Sequence, residues 1–273
     1  MKKIFLIFLI SHFSFLICNA QYDLLSAKKN VIKGNYNFWV YTPEEYYYTQ
    51  ESTPLIFFLH GASLCGHDLN RVLRYGSIDA AEMGLMIPAL IVAPQNPGGP
   101  WNPHKLNEIL EWMKLHYVFD ESRVYVLGMS LGGYGTLDFA GTYPDKIAAA
   151  VALCGGAIIK DYRGLGELPL WIIHGTADRA VSVKESQKVV TGMKTLGITS
   201  RLRYDWLPGA SHGALARFFY TSKTYEWLFQ HTLRDPWRPV DNTIDITKSD
   251  LSNAYREFQH RTDQLEKELD SER

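Results

Sequence analysis

Arg123-Val124-Tyr125-Val126-Leu127-Gly128-Met129-Ser130-Leu131-Gly132-Gly133-Tyr134-Gly135 is the stretch that decides how the chain folds. An apolar, β-branched run passes straight into a glycine-flanked serine, and a helical pattern follows at once. Glycines two before and two after a serine permit a strand-to-helix turn so tight that side chains there would collide. Such an elbow holds the hydroxyl above a sheet, at a helix N-terminus, where the dipole and unpaired N–H groups favour a developing negative charge. The five-residue pattern occurs by chance in many chains. Its strand and helix context makes Ser130 a candidate nucleophile.

Outward from the elbow, short apolar runs alternate with longer helical patterns. The runs are residues 54–59, 89–93, 123–127, 147–153, 170–173 and 202–206, and the helices fall at 105–116, 131–143, 183–196 and 213–229. Alternation of this kind predicts an α/β fold, a doubly wound and mostly parallel sheet with helices on both faces. The central runs are almost continuously apolar, as strands buried on both faces must be. Val31 to Tyr41 alternates around Lys33-Gly34-Asn35 and suggests an antiparallel hairpin at the sheet edge.

With 273 residues, 46% hydrophobic, the chain can bury one full-sized core. Lys+Arg 28 against Asp+Glu 29 leaves a formal net charge of -1, so no global field gathers nucleic acid or an anionic membrane. Residues 1–20 read as an export signal: Met1-Lys2-Lys3, an apolar run to Cys18, then Asn19-Ala20 before Gln21. The run is shorter than the ~20 residues of a spanning helix, so the expectation is a periplasmic or extracellular protein without stable membrane insertion. Of 3 cysteines, Cys65 and Cys154 remain after cleavage, and they read as free thiols. The catalytic domain spans 21–233. A polar extension, 234–273, carries one helix with Thr247 as N-cap and Asp250 three residues on. Its apolar stripe, Leu251, Tyr255, Phe258, Thr262, Leu265 and Leu269, is too short for a dimerising coiled coil, so the helix packs on its own domain or frays, and the protein is a monomer or weak dimer.

A serine hydroxyl needs a base to take its proton and a third group to orient that base. In this fold the acid and the base follow the serine in that order. The run Leu170-Trp171-Ile172-Ile173 ends in His174-Gly175-Thr176-Ala177-Asp178, and the next ends in Leu207-Pro208-Gly209-Ala210-Ser211-His212-Gly213. Asp178 and His212 therefore sit on successive loops at the edge that carries Ser130. Asp161 and Asp205 are rival acids; the first has no apolar strand before it and the second lies within one. His174 reads as a turn residue. Two backbone donors are needed for a tetrahedral oxyanion, and Leu131 N–H and Ala62 N–H, the latter in Leu59-His60-Gly61-Ala62-Ser63, are assigned. The sequence has no His-Glu-x-x-His, no paired Cys-x-x-Cys and no phosphate-cradling loop, so no metal or cofactor is expected.

Five phrases resemble the secreted bacterial carboxylesterases of the α/β-hydrolase superfamily allied to the prolyl-oligopeptidase catalytic domain. They are Phe58-Leu59-His60-Gly61-Ala62, Val92-Ala93-Pro94-Gln95, Val126 to Gly135, Cys154-Gly155-Gly156 and His174 to Asp178. The resemblance covers about Asn35 to Phe229. It implies ester hydrolysis through an acyl-enzyme by Ser130, Asp178 and His212, with Gln95 and Trp101 bordering the substrate cleft. Ser182 stands where many relatives carry proline. The short segment from Cys154 to Pro169 leaves no room for a large lid, which suggests an open site for small-molecule or oligosaccharide esters, acetyl or feruloyl groups among them. A peptidase, phospholipase or thioesterase, and a catalytically silent binding protein, are the alternatives.

Overall fold

The computed structural model describes residues 24–240 and 242–254. The signal reading of 1–20 and most of the C-terminal stripe lie outside these residues. Eight strands form one sheet in the order β1-β2-β4-β3-β5-β6-β7-β8. They are β1 Leu25–Lys28, β2 Phe38–Tyr41, β3 Leu55–Leu59, β4 Leu90–Pro94, β5 Val124–Met129, β6 Ala149–Leu153, β7 Leu170–Gly175 and β8 Leu202–Leu207. From β4 to β8 every pairing is parallel, while β1 and β2 run antiparallel at the edge. The helices are α1 Tyr46–Thr49, α2 Ser77–Glu82, α3 Pro103–His116, α4 Leu131–Thr142, α5 Val183–Thr195, α6 Ser222–Phe229 and α7 Lys248–Asn253.

Strand periodicity sorts the central side chains between two cores. Leu55, Phe57 and Leu59 join Val124 and Val126 under α3, α4 and α5. Ile56 and Phe58 join Tyr125 and Leu127 on the opposite face, under α2 and α6. All five residues of β3 are buried. This is the doubly wound arrangement that the alternating runs predict. Caps fix where helices begin: the Asn102 side chain accepts from the N–H groups of His104 and Lys105, with Pro103 in the first turn of α3. Ser182, the departure from proline, has a similar use, because its hydroxyl accepts from Lys184 N–H to cap α5.

Two elements differ from the sequence reading. The edge hairpin exists, but its first strand lies earlier, at Leu25–Lys28, because Asn30 and Gly34 adopt positive φ (55° and 73°) and residues 29–37 loop out. The single helix expected over 213–229 is instead a 3-10 turn, His212–Tyr220, and α6. Between them Thr221 is extended, at φ -120° and ψ 132°. Phe218, Phe219 and Tyr220 are all buried. Three adjacent side chains cannot share one narrow helical face, so core packing overrides the α period here.

The C-terminal extension, through Ala254, packs back on the domain. Thr247 and Asp250 form a reciprocal capping box at the start of α7. Arg217 Nη1 donates to Leu251 O at 2.8 Å, and Lys223 pairs with Asp250 at 2.8 Å. Among the described residues no helix is long and apolar enough to cross a membrane.

Candidate active site

Ser130 stands between β5 and α4 at φ 60° and ψ -121°, a backbone conformation that is strained for any residue with a Cβ. The glycines around it are dictated by contact. A Cβ on Gly128 would lie 2.4 Å from Gly132 O, and one on Gly132 only 1.8 Å from Leu59 O. The elbow helix thus enters directly against the exit of β3. There a Cβ on Gly61 would stand 3.4 Å from the Cβ of Ser130. Leu131 N–H opens α4, and Ala62 N–H opens the 3-10 turn Ala62–Leu64. Neither donates to a protein acceptor among the described residues. Two unspent donors therefore flank the serine.

His60 sets the β3 loop from below. Its ring is fully buried; Asn96 N–H donates to Nε2 at 3.0 Å, and Nδ1 lies 2.7 Å from Gly61 O. A ring nitrogen that accepts from a backbone N–H carries no proton, so His60 is neutral with its proton on Nδ1. Burial, the largest influence, pushes its pKa down to about 4, which agrees. Gln95 and Trp101 act in the same layer. Gln95 is 4% exposed and spends its amide on Leu64 O (3.3 Å) and Asp68 O (2.6 Å). Trp101 is 3% exposed, donates to His60 O at 3.3 Å and packs edge-on against His60. Both side chains are buried and tie together the loops that follow β3 and β4. Tyr75, which no sequence signal marked, receives Gly61 N–H on its hydroxyl at 2.9 Å.

The acid and base loops are pinned together. Thr176 N–H donates to Leu207 O, Ala177 N–H to Ala210 O, and Gly209 N–H to the Thr176 hydroxyl. This lattice sets His212 Nδ1 2.7 Å from Asp178 Oδ2. The Asp178 side chain is wholly buried, whereas His212 remains 25% exposed. Burial alone would raise the Asp178 pKa, but the Val181 N–H, the His212 side chain and the Ala180 N–H hold it below the ordinary carboxylate range. An ionised Asp178 keeps the His212 proton on Nδ1 and leaves Nε2 free to act as base. The rivals are engaged elsewhere: Asp161 pairs with Arg163 at the surface, and Asp205 accepts from Trp171 and Arg203. Among the described residues no hydrogen bond joins Ser130 to His212. In an unliganded site that contact commonly forms only with substrate.

Cys65 and Cys154 are both free. Cys154, at φ 39°, is buried beside Asp178 and His212, and burial pushes its thiol pKa up. Cys154, Asp178 and His212 each offer a ligand atom within 4.8 Å of the others. Asp178 and His212 are already spent on each other and the sulfur keeps its proton, so the donor set suits proton transfer better than a cation. The structure also corrects the reading of His174 as a turn residue. It is the fifth residue of β7 and is fully buried, with Nδ1 2.7 Å from the Ser186 hydroxyl.

No family model matches the chain. It is 41% identical over 51 residues to poly(3-hydroxyalkanoate) depolymerase C of Paucimonas lemoignei, covering 19% of this chain and 12% of that protein. It is 29% identical over 80 residues to a bifunctional acetylxylan esterase/xylanase of Neocallimastix patriciarum, covering 29% of this chain and 12% of that protein. The chain thus spans about an eighth of the length of these curated relatives. Among solved structures, a thermostable esterase superposes with TM-score 0.66 at 26% identity, covering 77% of this chain and 63% of that one. The feruloyl esterase module of Clostridium thermocellum, complexed with sinapinate, superposes with TM-score 0.54 at 16% identity over 69% of this chain and 81% of that one. With the strand order, the elbow and these superpositions together, the chain has the α/β-hydrolase fold.

Proposed function

We propose that this protein is an exported serine ester hydrolase that works through an acyl-enzyme on short acyl or feruloyl esters of carbohydrates. The observation that carries the reading is Ser130, strained at the N-terminus of α4, with two unspent N–H groups beside it and the Asp178–His212 pair at the same sheet edge. Ser130 Oγ attacks the ester carbonyl while His212 Nε2 takes its proton. The N–H groups of Ala62 and Leu131 receive the oxyanion. His212 then returns the proton to the departing alcohol, and water attacks the acyl-serine by the same route. Asp178 supports the imidazolium at each stage.

An open site supports the choice of bulky alcohols. The segment between β6 and β7 lies flat on α4: a Cβ on Gly164 would be 2.1 Å from Gly141 O, and one on Gly141 2.4 Å from Ile159. Its residues Ile159, Gly164 and Leu165 are packed at the far end of the helix from Ser130. Beside His212 a groove of about 470 Å³ runs between Ala177, Arg179, Ala180 and Ser211. The relatives' names, an acetylxylan esterase and a feruloyl esterase module among them, favour glycan esters. Peptide bonds are the second substrate class for this chemistry, since a solved acylaminoacyl peptidase shares the fold at 17% identity, with this chain covering 43% of it.

The test is hydrolysis of a chromogenic acetate ester by the chain from Gln21 onward, beside Ser130→Ala and with an acyl-peptide anilide in parallel. Ester turnover should exceed anilide turnover, and the variant should fall by about 10⁴-fold or more. Equal turnover by both proteins would sink the reading, and faster anilide cleavage would replace it with the peptidase.

A further inference from the structure

Asp178 has two ties of different kinds. Its Oδ1 accepts the N–H groups of Ala180 and Val181, each at 2.9 Å, and these belong to its own turn. Such bonds shape the turn but move with it. Oδ2 faces outward to His212 and inward to His174 Nε2, 3.3 Å away on β7. The same His174 nitrogen is 3.0 Å from the Val181 carbonyl. His174 is paired in register with Trp206 of β8, and its side chain is completely buried. It is the point at which the 178–181 turn meets the rigid sheet.

We propose that His174 is the positioning residue of the acid–base pair, fixing the Asp178 carboxylate to β7 through one buried N–H shared between Asp178 Oδ2 and the Val181 carbonyl. The proposal rests on the triad assignment above and extends it by one member. Proton counting supports it. Nε2 faces a carbonyl and a carboxylate, which only accept, so the ring proton must sit there. Nδ1 lies 2.7 Å from the oxygen of the Ser186 hydroxyl, which is buried and donates its proton to Gly155 O. Gly155 in turn abuts the elbow helix, since a Cβ on it would lie 2.5 Å from the Gly133 carbonyl carbon. A buried polar chain therefore runs from Gly155, which packs on the nucleophile's helix, through Ser186 and His174 to Asp178 and the partly exposed His212.

A neutral donor is suited to this position. Burial lowers the pKa of His174, and a neutral N–H orients the carboxylate without cancelling its charge. Asp178 can still oppose the imidazolium that forms on His212, which a lysine in this place would prevent. The other ionisable group packed against the pair is the Cys154 thiol, which stays protonated.

The test measures activation of Ser130 with a fluorophosphonate probe, resolving the labelling rate constant kinact from the probe's affinity KI, and needs no ester substrate. His174→Leu should lower kinact by about 10-fold to 100-fold with KI unchanged, the range set by one hydrogen bond to a charged group. His174→Gln, which can present an N–H near the Nε2 position, should recover most of that loss. Ser186→Ala, a smaller change that keeps the fold if His174→Leu does not, should lower kinact about fivefold. A purely packing role predicts the opposite order, with leucine better tolerated than glutamine. Wild-type kinact in Ser186→Ala, or leucine at least as fast as glutamine, overturns the proposal. Wild-type protein that labels yet hydrolyses no ester overturns the substrate reading alone, while wild-type protein that never labels overturns both.

Discussion

The two edges of the sheet are built on different principles. At the carboxyl edge the loops after β3, β5, β6, β7 and β8 converge on Ser130, and two residues there, Ser130 and Cys154, hold positive φ without being glycine. Each such residue costs on the order of 1–3 kcal/mol. The opposite edge is clasped by the C-terminal extension. Arg238, only 8% exposed, donates through Nη1 to Ile147 O (3.1 Å) and Ala148 O (3.3 Å) before β6, and through Nη2 to Glu167 O (2.6 Å) before β7. Arg201 Nη2 donates to Pro236 O at 2.7 Å, and Arg234 pairs with Asp120 at 3.0 Å. Here the Arg238 guanidinium satisfies carbonyls of residues that precede β6 and β7, while Arg201 and Arg234 tie the extension to the domain. One edge places its strained residues at the chemistry; the other, where Arg238 itself is held at φ 32°, places one at the fastening.

If that division is correct, changes at the two edges should separate catalysis from stability. The largest effect belongs to Asp178→Asn. An amide there lets His212 adopt the wrong tautomer, so kcat should fall by about 10⁴-fold while the far-ultraviolet spectrum and the melting midpoint stay close to wild type. A loss below tenfold would mean that Asp178 does not orient the base.

His60 gives the next effect, and it is a function of pH. Its pKa in the folded protein is about 4, below the ordinary histidine value of 6.5 that the unfolded chain should show. The unfolded state therefore binds the proton first as pH falls. Stability from the neutral ring is fully present above pH ~6.5 and is lost progressively as pH drops towards 4, by about 3 kcal/mol in all. Urea unfolding across this window should show the decline, and His60→Asn should flatten it. An unchanged slope in the variant would assign the acid sensitivity to other groups.

The smallest of the three is at the opposite edge. Arg238→Met keeps the aliphatic bulk but strands the carbonyls of Ile147 and Ala148, while Glu167 O keeps Arg201 as donor, and should reduce unfolding free energy by about 2 kcal/mol with kcat and KM unaltered at 25 °C. A matching fall in kcat would show that the two edges are not separable.

The strand pattern was legible because a doubly buried strand must be apolar along its whole length, and β3, β5 and β6 are. Ser130 was legible for a related reason, since its turn needs glycine at positions 128 and 132 whatever surrounds it. His174 was misread because its role is set by Ser186 and Val181, whose contact with it depends on how α5 docks on β7. The burial of Gln95 and Trp101 was not legible for the same reason: it depends on which loops lie above a residue. The break at Thr221 was hidden because Phe218, Phe219 and Tyr220 suit a helix locally and are drawn inward only by the sheet they cover.

The sequence by itself determined the strand ladder and the glycine-flanked elbow at Ser130, because each rests on sterics or periodicity within a few residues. Only the tertiary structure decided that Asp178, and not Asp161 or Asp205, meets His212 at 2.7 Å, that His174 meets Asp178, and that Arg238 reaches back about 90 residues to the start of β6. These are contacts between segments far apart in the chain. Their partners are chosen by packing and by the need to satisfy buried polar groups, and no local pattern encodes that choice.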